Sequence, residues 1–265
     1  MSLTFTILGC GSSMGVPRVA LGWGACDPSN PRNRRRRCSL LVERANALGN
    51  RTRVLVDCSP DMRLQLLDAD VDWIDGVLIT HEHADHTHGI DDLRPLYVHK
   101  RRQVDMYFDE PTARMMCSRF AYCFATPAGS EYPPIVTEKR IEAGKPVTIK
   151  GQGGDIEALP LLQHHGDIAS LGFRFGKVAY SADVKKLPPE SSAALSGLDV
   201  WIVDALRRHP HPSHFNLDEA LDWIARIKPK RAILTNLHSD MDYAALRAEL
   251  PANVEPAYDG LQFTG

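Results

Sequence analysis

The segment "VLITHEHADHTHG", residues 77 to 89, holds four histidines and one aspartate between positions 81 and 88, directly behind a short apolar run. Neutral imidazole suits zinc, manganese or iron, and carboxylate oxygens widen that choice, so His81, His83, Asp85 and His86 form a ligand nest. Two plainer readings are a solvated histidine-rich loop and a purification tag, and a tag sits at a terminus rather than behind an apolar strand. The zinc-protease pattern HExxH fails here, because position 85 is Asp and not His. His81 and His83, two apart, project to one side only if the backbone stays extended past "GVLIT". Asp85 and His86 then face a second centre in the following turn. His88 lies beyond that pattern and suits holding a ligand in orientation through a hydrogen bond.

Two metals need more donors than this segment offers. Later stretches supply the right kinds: "LLQHHGD" holds His164 and His165, "AYSADV" holds Asp183 and "ILTNLHSD" holds His238. Each lies at the end of an apolar run, where strand ends can converge on one rim. Taken alone, Asp183 reads as a turn residue and His238 as a capping or core histidine. Two divalent ions together lower the pKa of a water between them and stabilise charge on the attacking and leaving oxygens of an in-line displacement, which suits phosphodiester hydrolysis.

The elements that must position these residues are mostly strands. Runs at 3–8, 38–43, 53–57 and 76–80 are rich in branched residues and separated by turn formers, and a second set follows at 155–163, 171–175, 177–181, 199–205 and 231–236. Helices are expected over 59–69, with Ser59 as cap, over 110–124, over 216–229 with Asn216 as cap and Leu217, Ala220, Leu221 and Ile224 on one face, and over 242–250. Residues 125–136 form the least regular stretch, a loop placed to wall or cover a site. Two sheet-rich halves, each closed by helices, predict stacked layers, and one domain is expected over 1–265.

The bulk composition excludes several classes. A formal charge of −2 over 265 residues gives no overall positive field for nucleic acid or anionic lipid. The start "MSLTFTILGC" alternates like a strand and lacks the pattern of a secretory signal, and no apolar run reaches membrane-spanning length. Six scattered cysteines read as buried thiols, which fits a reducing cytoplasm.

With the HxHxDH segment and its distant partners, the sequence resembles the metallo-β-lactamase fold superfamily from "TILGCGSS" to "YDGLQF". The resemblance implies an α/β (α+β) fold, a four-layer αββα sandwich, around a site for two divalent ions, zinc or manganese or also iron. It implies that His81, His83 and one of His164 and His165 bind the first metal. Asp85, His86 and His238 would bind the second, and Asp183 would bridge the two. His165 is preferred because it directly precedes Gly166, and His164 would then support the ligands from behind, as would His88 and Asp91.

Within that superfamily, "GCGSSMGVPR", "NRRRRCS", "HTHGIDDLRPL" and "HPHPSHFNLDEAL" make the chain similar to the phosphoribosyl cyclic phosphodiesterases and their relatives. That similarity implies opening of small cyclic phosphates of ribose or nucleotides by a hydroxide that bridges the metals, with Asp85 counted among the catalytic residues. His214 is assigned as the general acid, with His211 as its rival, because His214 immediately precedes the helix. His211, Arg94 and Ser181 are candidate substrate contacts, and Arg94 could instead brace a carboxylate. Some members of that family carry a cysteine cluster for a structural zinc, but here Cys26 and Cys38 are alone and no CxxC occurs. The Arg34 to Arg37 run reads first as a solvated loop. A tRNA 3′-end endonuclease, a thioester hydrolase and a non-catalytic carrier on the same fold are the competing readings. A small phosphorylated or nucleotide-like substrate and a homodimer are the partners the similarity implies.

Overall fold

The computed structural model describes residues 2–265. In the first half, β1 (Thr4–Gly9), β2 (Ser39–Ala45) and β3 (Arg51–Val56) pair antiparallel, and β4 (Gly76–Leu78), β5 (Val104–Phe108) and β6 (Val136–Arg140) extend the sheet in parallel. Five helices occupy the connections: α1 (Met62–Asp68), α2 (Ala84–Thr87), α3 (Arg94–Lys100), α4 (Glu110–Arg119) and α5 (Ala121–Phe124). The second half begins with antiparallel β7 (Val147–Ile149), β8 (Ile156–His165) and β9 (Ile168–Phe175). From β10 (Val178–Ser181) through β11 (Val200–Asp204) and β12 (Arg231–Thr235) to β13 (Val254–Pro256) the strands run parallel. Their connections hold α6 (Pro189–Ala194), α7 (Leu217–Ile227) and α8 (Tyr243–Glu249). Finally β14 (Gln262–Thr264) returns to the edge of the first sheet beside β1.

Strand alternation decides the layers. On β2, Leu40 and Val42 face the interior shared by the two sheets, where they meet Phe173, Tyr180 and Ile202 of the second sheet. Leu41, one residue out of phase, packs instead with Met62, Leu66 and Ile90 beneath the first helical layer. On β11 the same alternation sends Ile202 inward and Trp201 outward against Leu217, Ala220 and Ile224 of α7. The result is the expected αββα sandwich of two seven-stranded sheets.

The structure departs from the sequence reading in several places, adding β5, β6, β7, β13, β14, α3 and α6 where no element was expected. The strand β5 escapes pattern analysis because Val104, Met106 and Phe108 are buried under helices while Tyr107 is buried between the sheets, so no polar alternation marks it. The helix expected over 110–124 breaks at Phe120 (φ −124°, ψ 35°) into α4 and α5. The arginine run is also less solvated than its composition suggests. Arg35 is 2% exposed and donates to the Met241 carbonyl at 2.7 Å and to Asn33 Oδ1 at 3.2 Å, while Arg36 and Arg37 pair with Asp68 and Asp61.

Asn216 caps α7 as expected: its side chain accepts from Glu219 N at 2.9 Å, and the Glu219 carboxylate accepts from Asn216 N at 2.9 Å. Asn216→Ala should therefore lower unfolding free energy by about 1 kcal/mol in denaturant titrations. An unchanged midpoint would show that packing alone holds the start of this helix.

Candidate metal centre

The parallel strands of both sheets end at one rim, and the chemically active residues follow those ends. Asp57 directly follows β3, His81 lies just beyond β4, Asp183 beyond β10, Asp204 ends β11, Asn236 and His238 follow β12, and His165 ends β8. Carboxyl ends of parallel strands leave a crevice that side chains from different strands can share. Two local constraints shape it. A Cβ at Gly89 would fall 2.0 Å from the Ser59 carbonyl, so only glycine lets the segment after α2 pack this closely against the β3 exit. Gly166 has φ 61° and lies against Ser213, turning the chain sharply after His165.

One group of donors comprises His81, His83, His165 and Asp183, with one ligand atom from each and all four atoms within 4.8 Å of one another. His165 Nε2 lies 3.3 Å from His83 Nδ1, and Asp183 Oδ2 lies 3.5 Å from His165 Nε2 and 3.8 Å from His81 Nε2. The other oxygen faces elsewhere. Asp183 Oδ1 is 3.2 Å from His86 Nε2, and that same nitrogen is 3.3 Å from Asp85 Oδ2. The two oxygens of Asp183 thus address two different donor sets.

The imidazoles present these atoms because their far sides are tied down. His86 Nδ1 donates to Asp57 Oδ2 at 2.6 Å. Thr80 Oγ1 donates to the same carboxylate at 3.0 Å and accepts from His81 Nδ1 at 2.9 Å. Asp57 therefore anchors one histidine of each donor set, directly and through Thr80. His165 Nδ1 donates to the Ser213 carbonyl at 2.7 Å, and His238 Nδ1 to Asp240 Oδ1 at 2.9 Å. With Nδ1 donating, the Nε2 lone pair of each ring is left for a cation.

Electrostatics test whether the residues fit metal. Burial, reinforced by the neighbouring rings, holds His81 well below the usual imidazole range and lowers His165 as well, so both offer neutral lone pairs. His81 Nε2 is buried and has no hydrogen-bond partner in the protein. An orphaned buried nitrogen is costly unless something binds it. At His86 burial is overridden by Asp183, Asp85 and Asp57, whose carboxylates drive the ring well above its ordinary value. Three carboxylates around one imidazole call for a positive charge, and these donors suit divalent zinc, manganese or iron.

His214 stands beside the first set. Its Nδ1 donates to Asp204 Oδ2 at 2.8 Å, its Nε2 is 3.8 Å from Asp183 Oδ2, and its ring lies 4.5 Å from that of His165. Burial opposes the charged ring, but Asp204 and Asp183 together push its pKa up to about 9. The His211 ring lies 5.0 Å from His214, and burial followed by the His214 charge takes its pKa down to about 4.

Other expected site residues are placed differently. His238 shares no hydrogen bond or ion pair with Asp85, His86 or Asp183, and its Nε2 lies 2.9 Å from Arg18 Nη1. His164 points out of the strand face that carries His165 and is exposed, so of the adjacent pair His165 lies in the donor group. His88 is exposed and meets Phe120 edge-to-face, with ring centroids 5.3 Å apart, instead of bonding a donor of the cluster. Asp91 pairs with Arg94 at 2.8 Å on the surface, so both are engaged with each other and not with the donor cluster. Ser181 is wholly buried and accepts from Trp201 Nε1 at 3.2 Å on the helix side of the sheet, which removes it as a substrate contact.

Sequence reasoning missed Arg18, Asp57, Asp204, Asp240 and Asn236. For Asp57 and Asp204 a signal existed: each ends an apolar strand, in "RVLVD" and "WIVD". Asp57 (φ 64°) and Asn236 (φ 62°) also adopt left-handed backbone, a strain that concentrates at functional sites. Asn236 Nδ2 donates to the Ala182 carbonyl and to Asp183 Oδ1, both at 3.1 Å, fixing the shared carboxylate.

An αββα sandwich carrying this histidine and carboxylate rim is a metallo-hydrolase of the metallo-β-lactamase type. Residues 52–236 match the Beta-lactamase superfamily domain. A crystal structure described as a new diphosphatase from the PhnP family is 34% identical, superposes with a TM-score of 0.88, and is aligned over 100% of this chain and 98% of that one. The chain belongs to the β-lactamase superfamily and, within it, to the PhnP family. Zinc-bound PqqB from Methylobacterium extorquens shares the fold at 17% identity, with a TM-score of 0.71 over 98% of this chain and 99% of that one. An octanoyltransferase of Porphyromonas gingivalis is 33% identical over 261 residues, covering 97% of this chain, which spans only 50% of that protein. No helix among the described residues is long and apolar enough to cross a membrane.

Asp57→Asn would keep the volume but weaken the acceptor that orients His86 and, through Thr80, His81. Metal affinity should fall about 10- to 100-fold, read by titration of stripped protein. Wild-type affinity in this variant would show that the rings are held by packing alone.

Proposed function

We propose that the protein is a phosphoesterase dependent on two divalent metals, acting on small cyclic phosphate esters of ribose or nucleotides. The observation that supports this most is the placement of Asp183, whose two oxygens address separate donor sets while His214 Nε2 stands 3.8 Å from one of them. Metals bound there would supply Lewis-acid charge and a water acidic enough to ionise near neutral pH. His81, His83, His165 and Asp183 would hold one ion, and Asp85, His86, Asp183 and His238 the other.

The chain's own groups account for the remaining steps. Asp204 holds His214 by Nδ1 and favours its protonated form, so the proton available for transfer is on Nε2, the atom that faces the site. That proton goes to the departing sugar oxygen, and the ring recovers it from solvent. His211 accepts from Ser213 Oγ at 3.1 Å through Nδ1, which leaves its Nε2–H as a neutral donor to a phosphate oxygen. The PhnP-family relative is named a diphosphatase, so phosphoanhydrides are the nearest alternative among phosphate bonds. Part of an octanoyltransferase is also similar to this chain, which makes an acyl thioester the informative control from another class.

The test is a screen of metal-loaded protein, with metal content measured, against bis(p-nitrophenyl) phosphate, 2′,3′-cyclic nucleotides, ribose 1,2-cyclic phosphate, a nucleoside diphosphate and an octanoyl thioester. Turnover of cyclic phosphates is expected; turnover of the thioester alone would sink the proposal. His214→Ala should reduce kcat roughly 10²- to 10⁴-fold while leaving metal content unchanged. Loss of metal in that variant would instead make His214 a ligand.

A further inference from the structure

Arg18 lies in "GVPRVALG" and has no part in the reaction described above. Its backbone is locked in a small closed loop. Its N–H donates to the Gly22 carbonyl at 2.9 Å, and its own carbonyl accepts from Leu21 N at 3.2 Å and Gly22 N at 2.8 Å. From this support the side chain reaches the metal rim, where Nη1 meets His238 Nε2 at 2.9 Å.

The guanidinium is otherwise unmatched. Its Nε is buried with no hydrogen-bond partner, and among the described residues no carboxylate pairs with Arg18. Arginine is always charged and carries five donors in a fixed fork, so a half-buried guanidinium with one neutral acceptor in the protein has donors left to offer an anion. Arg35 and Arg37 also bury an Nε without a hydrogen-bond partner, but both side chains are otherwise matched within the protein. Arg35 spends its donors on Asn33, Met241 and His238 backbone or side-chain oxygens, and Arg37 pairs with Asp61.

His238 makes the contact consequential. Its Nδ1 donates to Asp240 Oδ1 at 2.9 Å, so Nε2 carries the ring's one available lone pair. Arg18 uses that lone pair, and a cation in the second donor set needs the same one. The two claims exclude each other.

We propose that Arg18 is an anion-binding residue coupled to metal occupancy: coordination at His238 displaces the guanidinium, which then takes the charged oxygens of the phosphate substrate. The inference rests on the phosphoester reading for the identity of the anion. Arginine suits the task because its planar fork meets two oxygens of one phosphate at once.

Calorimetry on wild type, Arg18→Gln and Arg18→Lys decides it. Stripped protein titrated with manganese should show the weaker metal step tightened about tenfold in Arg18→Gln, because a competing charged donor is gone. Inorganic phosphate titrated into metal-loaded protein should bind about tenfold more weakly in Arg18→Gln, with partial recovery in Arg18→Lys, whose point charge lacks the fork. Unchanged affinities for both probes overturn the proposal. Weaker metal binding in Arg18→Gln also overturns it, since Arg18 would then support the loop and not compete with the metal. Neither readout needs turnover, so a wild-type protein inert towards every phosphoester would sink the hydrolase reading while leaving this result to stand or fall separately.

Discussion

The site depends on one carboxylate that never needs to touch substrate. Asp57 is wholly buried, and its two oxygens accept from His86 Nδ1, Thr80 Oγ1 and Thr80 N. Burying an ionised carboxylate is costly unless its lone pairs are filled, and here they are filled by the groups whose orientation matters. The same device recurs at Asp204 with His214 and at Asp240 with His238. Each aspartate fixes a tautomer, and the tautomer decides which nitrogen faces the rim.

That arrangement trades stability for function. Asp183 is buried among four imidazoles, and His81 carries a nitrogen with no partner in the protein. The left-handed backbone at Asp57 and Asn236 adds strain of about 1–3 kcal/mol per residue. A rigid support is therefore required. Both sheets supply it through a shared interior of Leu40, Val54, Phe173 and Tyr180, from which the strand ends emerge with little freedom to relax.

The rim is also asymmetric in a way that bears on loading. The first donor set is preassembled, with His83, His165 and Asp183 in mutual reach. The second brings Asp85, His86 and Asp183 together, while His238, near the same rim, is bonded to Arg18. The Arg35 side chain holds the backbone there, donating to the His238 carbonyl at 3.4 Å.

Short-range pattern was enough to reveal the donor types and the layered fold. His81, His83, Asp85 and His86 announce themselves by spacing, the pair His164 and His165 and Asp183 by standing at the ends of apolar runs, and α7 by its Asn216 cap. Periodicity and capping are local physics, so a chain displays them before it folds. The anchoring aspartates, Arg18 and the true exposure of the arginine run were decided only in three dimensions. Asp57 and His86 are 29 residues apart and Arg18 and His238 are 220 apart, and no local rule couples residues so distant. Ser181, Arg94 and His88 make the converse point. Each sits in sequence beside residues of the donor rim, yet strand alternation or a nearer partner turns it elsewhere, because which face a side chain presents depends on the sheet or helix packed against it.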